Sequence, residues 1–191
     1  MDAPSRPMRA DARRNYERII ECARDAFAEH GIEAPLDDIA RRAGVGPGTL
    51  YRHFPNRTAL MEAVYRANIE TLAARAAELR ETRTPPDAFT EWFGELVSYI
   101  LHRHGLAATL KAAIDRTSDV FTACSTMLAE AAESVLVPVQ EAGLVRRDVT
   151  PRDILRLGHG IGAGCQAAPD SAPLLTEIAL TGLRTPPTPA G

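Results

Sequence analysis

The stretch that most constrains this chain is LDDIARRAGVGPGTLYRHFPNRTAL, Leu36 to Leu60. Asp37 to Ala43 has helical spacing, with Ile39, Ala40 and Ala43 on one face and Arg41 and Arg42 on the other. Gly44 stands where a helix stops by taking a positive φ. Val45 can fill the angle that follows. Pro47 suits the first position of a second helix, because its fixed φ fits there and no hydrogen bond is lost. Gly48 to Phe54 continues that helix, and Leu50 and Phe54, four apart, share an inward face. Thr49, Tyr51, Arg52 and His53 are left pointing outward. The arrangement is a helix-turn-helix.

That outward set is what a DNA-reading surface needs. Hydroxyl, phenol, imidazole and guanidinium groups can donate to phosphate oxygens, and Arg or His can reach base edges. An ordinary helix corner whose polar face meets water has the same spacing, since helix pairs with a glycine turn are common. The run DDIARRAGVGPGTLYRHFPNRTAL resembles the DNA-binding signature of the TetR family of transcription regulators, DIA-x-x-AGVS-x-GTLY-x-HF-x-x-K-x-x-L. The match covers the N-terminal third. Gly46 replaces the usual Ser that caps the second helix, and Gly is a modestly weaker cap. Pro35 and Leu36 replace a Thr-rich entry to the first helix, which removes a hydroxyl that often contacts phosphate.

Composition sets broader limits. No secretory h-region opens the sequence, and no uninterrupted apolar run approaches membrane-spanning length, so no membrane partner is expected. Cys22, Cys124 and Cys165 are widely spaced and odd in number, which argues for a reducing cytoplasm rather than a disulfide framework. The net charge of −3 divides unevenly: residues 1–66 hold 11 Arg against 10 acids, a net of +1, and the remainder is at −4. The sign suits DNA at the N-terminal end, but the difference is small, so local placement of Arg must carry the affinity.

Along the chain, residues 1–10 lack periodicity and read as a loose arm whose Arg6 and Arg9, with Arg13 and Arg14 beyond it, could reach DNA. Asp11 to His30 is a helix with Tyr16, Ile19, Ile20, Ala23, Phe27 and His30 at i, i+3, i+4, i+7 spacing, and Gly31 ends it. Asn56 can cap a long helix from Arg57 to Glu81, whose length makes it a rod between two domains. Thr82 to Pro86 reads as a linker. Helical patterns follow at Pro86–His104, Leu106–Ile114 and Ser118–Ala142, the last with Pro138 as a kink point and Gly143 as its stop. Thr150-Pro151-Arg152-Asp153 is a helix start, with a Thr cap, a Pro at the first position and an acid in the first turn. That helix reaches about Ala168, and another spans Pro173 to Leu183. The expectation is an all-α chain of about nine helices, with a DNA-binding domain over 1–56, an effector-binding and dimerisation domain over 57–185 and a disordered tail from 186 to 191.

Two features of the second domain invite function. Trp92, Phe93, Leu96, Tyr99, Ile100, Leu110, Phe121, Cys124, Met127 and Leu128 gather most of its aromatic residues and two soft sulfurs, with His104, His159 and Gln166 as polar groups. Periodicity cannot separate a pocket from a plain core here; the resemblance implies a small-molecule effector site, and such a lining favours an apolar ligand. The series Gly158-His159-Gly160-Ile161-Gly162-Ala163-Gly164 lies inside a helical pattern, so it is no phosphate loop. Each Gly costs a helix about 1 kcal/mol relative to Ala, and close approach of another helix would compensate. The resemblance implies that the last two helices form a dimer interface, placing Leu155, Gly158, Gly162, Cys165, Leu175, Ile178 and Leu183 there. A broken or bulged helix beside the ligand is the rival account.

No metal or cofactor is expected. His102 and His104 fall on different helix faces, and no Cys-x-x-Cys, His-Glu-x-x-His or Gly-x-Ser-x-Gly spacing occurs. The leading reading is a homodimeric, effector-responsive regulator, most often a repressor in the resembled family, rather than an enzyme. Pro47, Gly48, Thr49, Tyr51, Arg52, His53 and Arg57 would meet double-stranded operator DNA, with Arg52 towards bases and Thr49, Tyr51, His53 and Arg57 on phosphates. The rivals are an all-helical ligand carrier with a vestigial helix-turn-helix, an enzyme on the C-terminal helices, and a DNA-binding activator or architectural factor without effector.

Overall fold

The protein was analysed as a computed structural model that describes residues 6–102 and 119–185, with side chains from 10 to 101 and from 119 to 185. The expected helix at Leu106–Ile114, together with Leu110, His104 and the tail 186–191, lies outside the described residues. Among the described residues there are eight α-helices, one 3-10 turn and no strand: α1 (Arg6–His30), α2 (Leu36–Arg42), α3 (Pro47–His53), α4 (Arg57–Thr82), α5 (Pro85–His102), α6 (Asp119–Glu141), α7 (Pro151–Gly164) and α8 (Ala172–Leu183). The all-α expectation holds. These residues form two compact units, one reaching Ala67 and the other built on 68–102 and 121–185. The division therefore falls within α4.

In the first unit α1 packs on α2 and α2 on α3, and Ile19, Ala23 and Phe27 of α1, Ile39 and Ala40 of α2, Leu50 of α3, and Leu60 and Val64 of α4 are all buried. α1 begins at Arg6, so the expected loose arm is already helical from that residue. Pro7 is tolerated because the first N–H groups of a helix have no internal partner. His30 shares the spacing of the buried face but is exposed at the helix end, where Arg42 Nη2 lies 3.3 Å from its Nε2. Asn56 caps α4 as expected, its Oδ1 accepting from Ala59 N–H at 2.8 Å.

In the second unit, α5 packs against α7 and α8. The expected linker from Thr82 to Pro86 is reduced to Arg83 and Thr84 between α4 and α5. Across that turn Arg75 binds Glu91 at 2.6 Å and Glu95 at 2.8 Å. Its hydrogen bonds to Glu95 first, and then to Glu78, hold its guanidinium well above the usual range. α7 starts as expected with a capping box: Thr150 Oγ1 accepts from Asp153 N–H at 3.3 Å, and Asp153 Oδ2 accepts from Thr150 N–H at 3.0 Å. The loop before it is stitched to the chain after α8, with Arg146 N–H donating to Leu183 O and Thr185 N–H to Leu144 O. By length and composition α6 could cross a membrane. Its Ala131, Ala132, Val135, Leu136 and Val139 nonetheless form one wall of the core cluster, and Glu130, Glu133 and Glu141 are exposed on other sides.

Candidate nucleic-acid interface

The turn between α2 and α3 is set by Gly44. Its φ of +64° lets Gly44 N–H donate to Arg41 O and Val45 N–H to Ala40 O, the paired closure that ends a helix in the left-handed region. Pro47 then opens α3 from Gly46, which supplies no side-chain cap. Leu50 and Phe54 are fully buried, so the opposite side of α3 is forced outward. Pro47, Gly48, Tyr51 and Arg52 are exposed and Thr49 is half-buried. Tyr51 is the large apolar ring of this unit left in water, 47% exposed.

Two of the outward residues are held by neighbours. Arg52 lies back along its own helix, with Nε donating to Gly48 O at 3.3 Å and Nη2 to Thr49 Oγ1 at 3.0 Å. The guanidinium fork thus sits on the exposed face of α3 with donors to spare. His53 is half-buried, its ring 6.0 Å from Tyr16 and 6.2 Å from Phe54. Tyr16 of α1 also meets Phe54 at 5.1 Å, so one aromatic group ties the supporting helix to the end of α3.

Arg57 departs from expectation. Its guanidinium is turned into the protein, where Nη1 donates to the carbonyls of Ile32 and Ala34, the latter at 2.7 Å. Nη1 is therefore engaged with the α1–α2 loop rather than left free at the surface. Sequence spacing could not show this, because the acceptors are backbone atoms more than twenty residues away. A second missed tie is Arg42 to Glu29 at 2.7 Å, which fixes the C-terminal ends of α1 and α2 together. The hydrogen bond from Arg42 holds the Glu29 carboxyl below the usual carboxylate range. Burial, followed by Glu21 and Asp25, pushes the Cys22 thiol up, away from thiolate chemistry.

The second unit rearranges the other two expectations. Trp92, Phe93, Leu96 and Ile100 are buried in the core, and the Trp92 indole N–H donates to Leu72 O at 3.0 Å, joining α5 to α4. A Cβ at Gly158 would lie 2.8 Å from Leu96 Cδ2, and one at Gly162 would lie 2.7 Å from Ile100 Cβ and 3.0 Å from Val97 O. These glycines therefore bring α7 against α5 of the same chain; they do not face a partner. Cys165 and Leu183 belong to the same core, and Leu155 is packed against it. The close approach inferred from the glycines is real, but its second helix is internal. Gly160 and Gly164, on the other side of α7, would meet nothing within 4 Å.

Of the expected pocket, Tyr99, Phe121, Met127 and Leu128 are half-buried, Cys124 is buried and His159 is exposed. His159 follows a buried glycine, and a helix turns each successive side chain by about 100°. Leu175 and Ile178 are exposed on α8, and Leu174, which the sequence reading passed over, is 59% exposed. Its signal was available, since Leu174 and Ile178 are four apart and share a face. No cluster of three metal-ligating side chains occurs among the described residues.

Comparison with known proteins agrees with this geometry. Residues 19–64 match bacterial regulatory proteins of the tetR family, and residues 84–185 match the C-terminal domain of SbtR-like transcriptional regulators. The chain belongs to the TetR family of transcriptional regulators. A solved TetR transcriptional regulator from Streptomyces coelicolor is 30% identical, with a TM-score of 0.76 over 90% of this chain and 99% of its own. A TetR regulator from Mycobacterium vanbaalenii is 32% identical, with a TM-score of 0.72 over 93% of this chain and 99% of its own. The HTH-type transcriptional repressor KstR2 of Mycolicibacterium smegmatis is 31% identical over 120 residues, 62% of this chain. The chain spans 58% of that relative's length and 40% of the matching Staphylococcus aureus regulators. As in other TetR-family chains, the helix-turn-helix lies in the N-terminal match, and α5 to α8 lie in the C-terminal one.

Proposed function

We propose that this TetR-family regulator acts as a homodimeric repressor in the cytoplasm, released from a palindromic operator by a small, largely apolar effector. The observation that supports this most is α3, which buries Leu50 and Phe54 while Tyr51 and Arg52 stand in water. Pro47 to His53 enters a major groove. Thr49, Tyr51 and His53 contact phosphate, Arg52 swings from Thr49 to a base edge, and Gly48 allows close approach. Leu174, Leu175 and Ile178 on α8 form the apolar strip of the dimer contact, a role consistent with their exposure. Two-fold symmetry then sets half-sites a helical turn or more apart. The effector site is bordered by Tyr99, Phe121, Cys124, Met127 and Leu128. The name of the KstR2 relative supports the repressor assignment.

The test is capture of genomic DNA fragments by the purified protein, followed by gel shift on the recovered sequence. Wild-type protein is expected to retain a palindromic fragment in a salt-dependent manner. Tyr51→Ala is expected to lose the shift while eluting as a dimer. A shift unaltered by Tyr51→Ala removes α3 from the interface, and absence of salt-dependent DNA binding in the wild type returns the chain to the ligand-carrier reading.

A further inference from the structure

α3 ends abruptly. His53 is its last residue, and at Phe54 the chain turns to extended backbone, with φ −133° and ψ 93°. No further helical turn follows to restrain the His53 side chain, so restraint has to come from another element. α1 supplies it. The Tyr16 ring lies 6.0 Å from the imidazole in an edge-to-face arrangement, with 64° between the planes, and 5.1 Å from the Phe54 ring. Phe54 is buried and itself lies 6.2 Å from His53. His53 is half-buried, whereas Tyr51 and Arg52 beside it stand in water.

The contact is directional. An edge-to-face pair sets the relative tilt of two rings, because the positive edge of one seeks the negative face of the other. An aliphatic neighbour would fill the same space without choosing an orientation. An exposed donor loses rotamer freedom when it takes a phosphate, and a ring already held in place has less to lose. Resting on the DNA-binding reading above, in which His53 contacts phosphate, we infer that Tyr16 is a positioning residue for that contact. Its ring, and not its hydroxyl, holds the His53 imidazole ready for the backbone of the duplex. Tyr16 acts through His53 and makes no contact with DNA of its own.

A double-mutant cycle separates a residue that positions His53 from one that merely supports the fold. Tyr16→Leu in the full chain keeps an apolar side chain against Phe54 but removes the ring. The expected result is a roughly three- to tenfold loss of operator affinity. Random duplex should lose affinity by the same factor, because phosphate contacts carry no sequence information. In a His53→Ala background Tyr16→Leu should change nothing further, since the group it acts through is gone. Tyr16→Phe should bind as the wild type does. Tyr16→Met carries the same measurements should Tyr16→Leu fail to fold. An equal loss on adding Tyr16→Leu to His53→Ala, or a loss confined to the operator, would make Tyr16 a support of the unit's shape alone and overturns the inference. Loss of binding by Tyr16→Phe, which would put the hydroxyl itself on DNA, overturns it too. So does operator affinity unmoved by Tyr16→Leu or by His53→Ala. Wild-type protein without salt-dependent DNA binding overturns instead the reading on which it rests.

Discussion

The same residue type does opposite work in the two units. In the helix-turn-helix Gly44 is chosen for its φ of +64°, and the space about it is nearly open, with only the end of the Arg18 side chain at 3.9 Å. In the second unit Gly158 and Gly162 sit in ordinary helical backbone and are chosen for the side chain they lack, because Leu96 and Ile100 occupy the place of a Cβ. The first unit is shaped by where the chain bends. The second is shaped by how near two straight helices can come. A glycine in sequence says only that something is required there, either a backbone angle or an absence, and the surroundings decide which.

The contrast can be tested by substitution. Trp92→Ala should have the largest effect, because it empties a fully buried site and removes the indole hydrogen bond to Leu72 O. A loss of about 3–5 kcal/mol is expected in urea unfolding, and a loss below 1 kcal/mol would mean that the α4–α5 contact is not central. Gly162→Ala should follow, at about 1–3 kcal/mol, because Val97 O is backbone and cannot move aside as a side-chain tip would. Gly160→Ala should reverse the sign: nothing lies within 4 Å, so relief of the glycine penalty should raise the unfolding free energy by up to about 1 kcal/mol. A loss there would instead show that this face is occupied by another chain.

The smallest effect should come from acid. The Thr150 side chain first, and then the Thr150 backbone N–H, hold the Asp153 carboxyl below its usual value. A carboxyl depressed in the folded state stabilises fully above the unfolded-state value of about 3.9, and that contribution is lost as pH falls through the folded-state value. Thermal melts of Asp153→Asn should therefore fall less steeply with acid than those of the wild type over that window. Identical curves would show that the cap adds nothing. Exposure and screening keep the difference small.

Local signals were legible from sequence because their causes are local. Gly31, Gly44 and Gly143 all take positive φ, Asn56 and Thr150 cap the helices that follow them, and Leu50 and Phe54 are buried as their spacing requires. The failures share a different cause. Arg57 bonds to carbonyls across a loop, Gly158 and Gly162 serve a helix some sixty residues earlier, and Trp92 anchors to the backbone of α4. Each depends on which elements meet, and periodicity is silent about that. Spacing alone does not bury His30 either, because at the last residue of α1 there is no further turn to cover it.

The glycine contact between α7 and α5 carries one more consequence. With Leu96 and Ile100 seated directly on bare backbone, a single layer of side chains separates the two helices at these points. A seam so thin leaves few side-chain torsions to take up a displacement of α7 against α5.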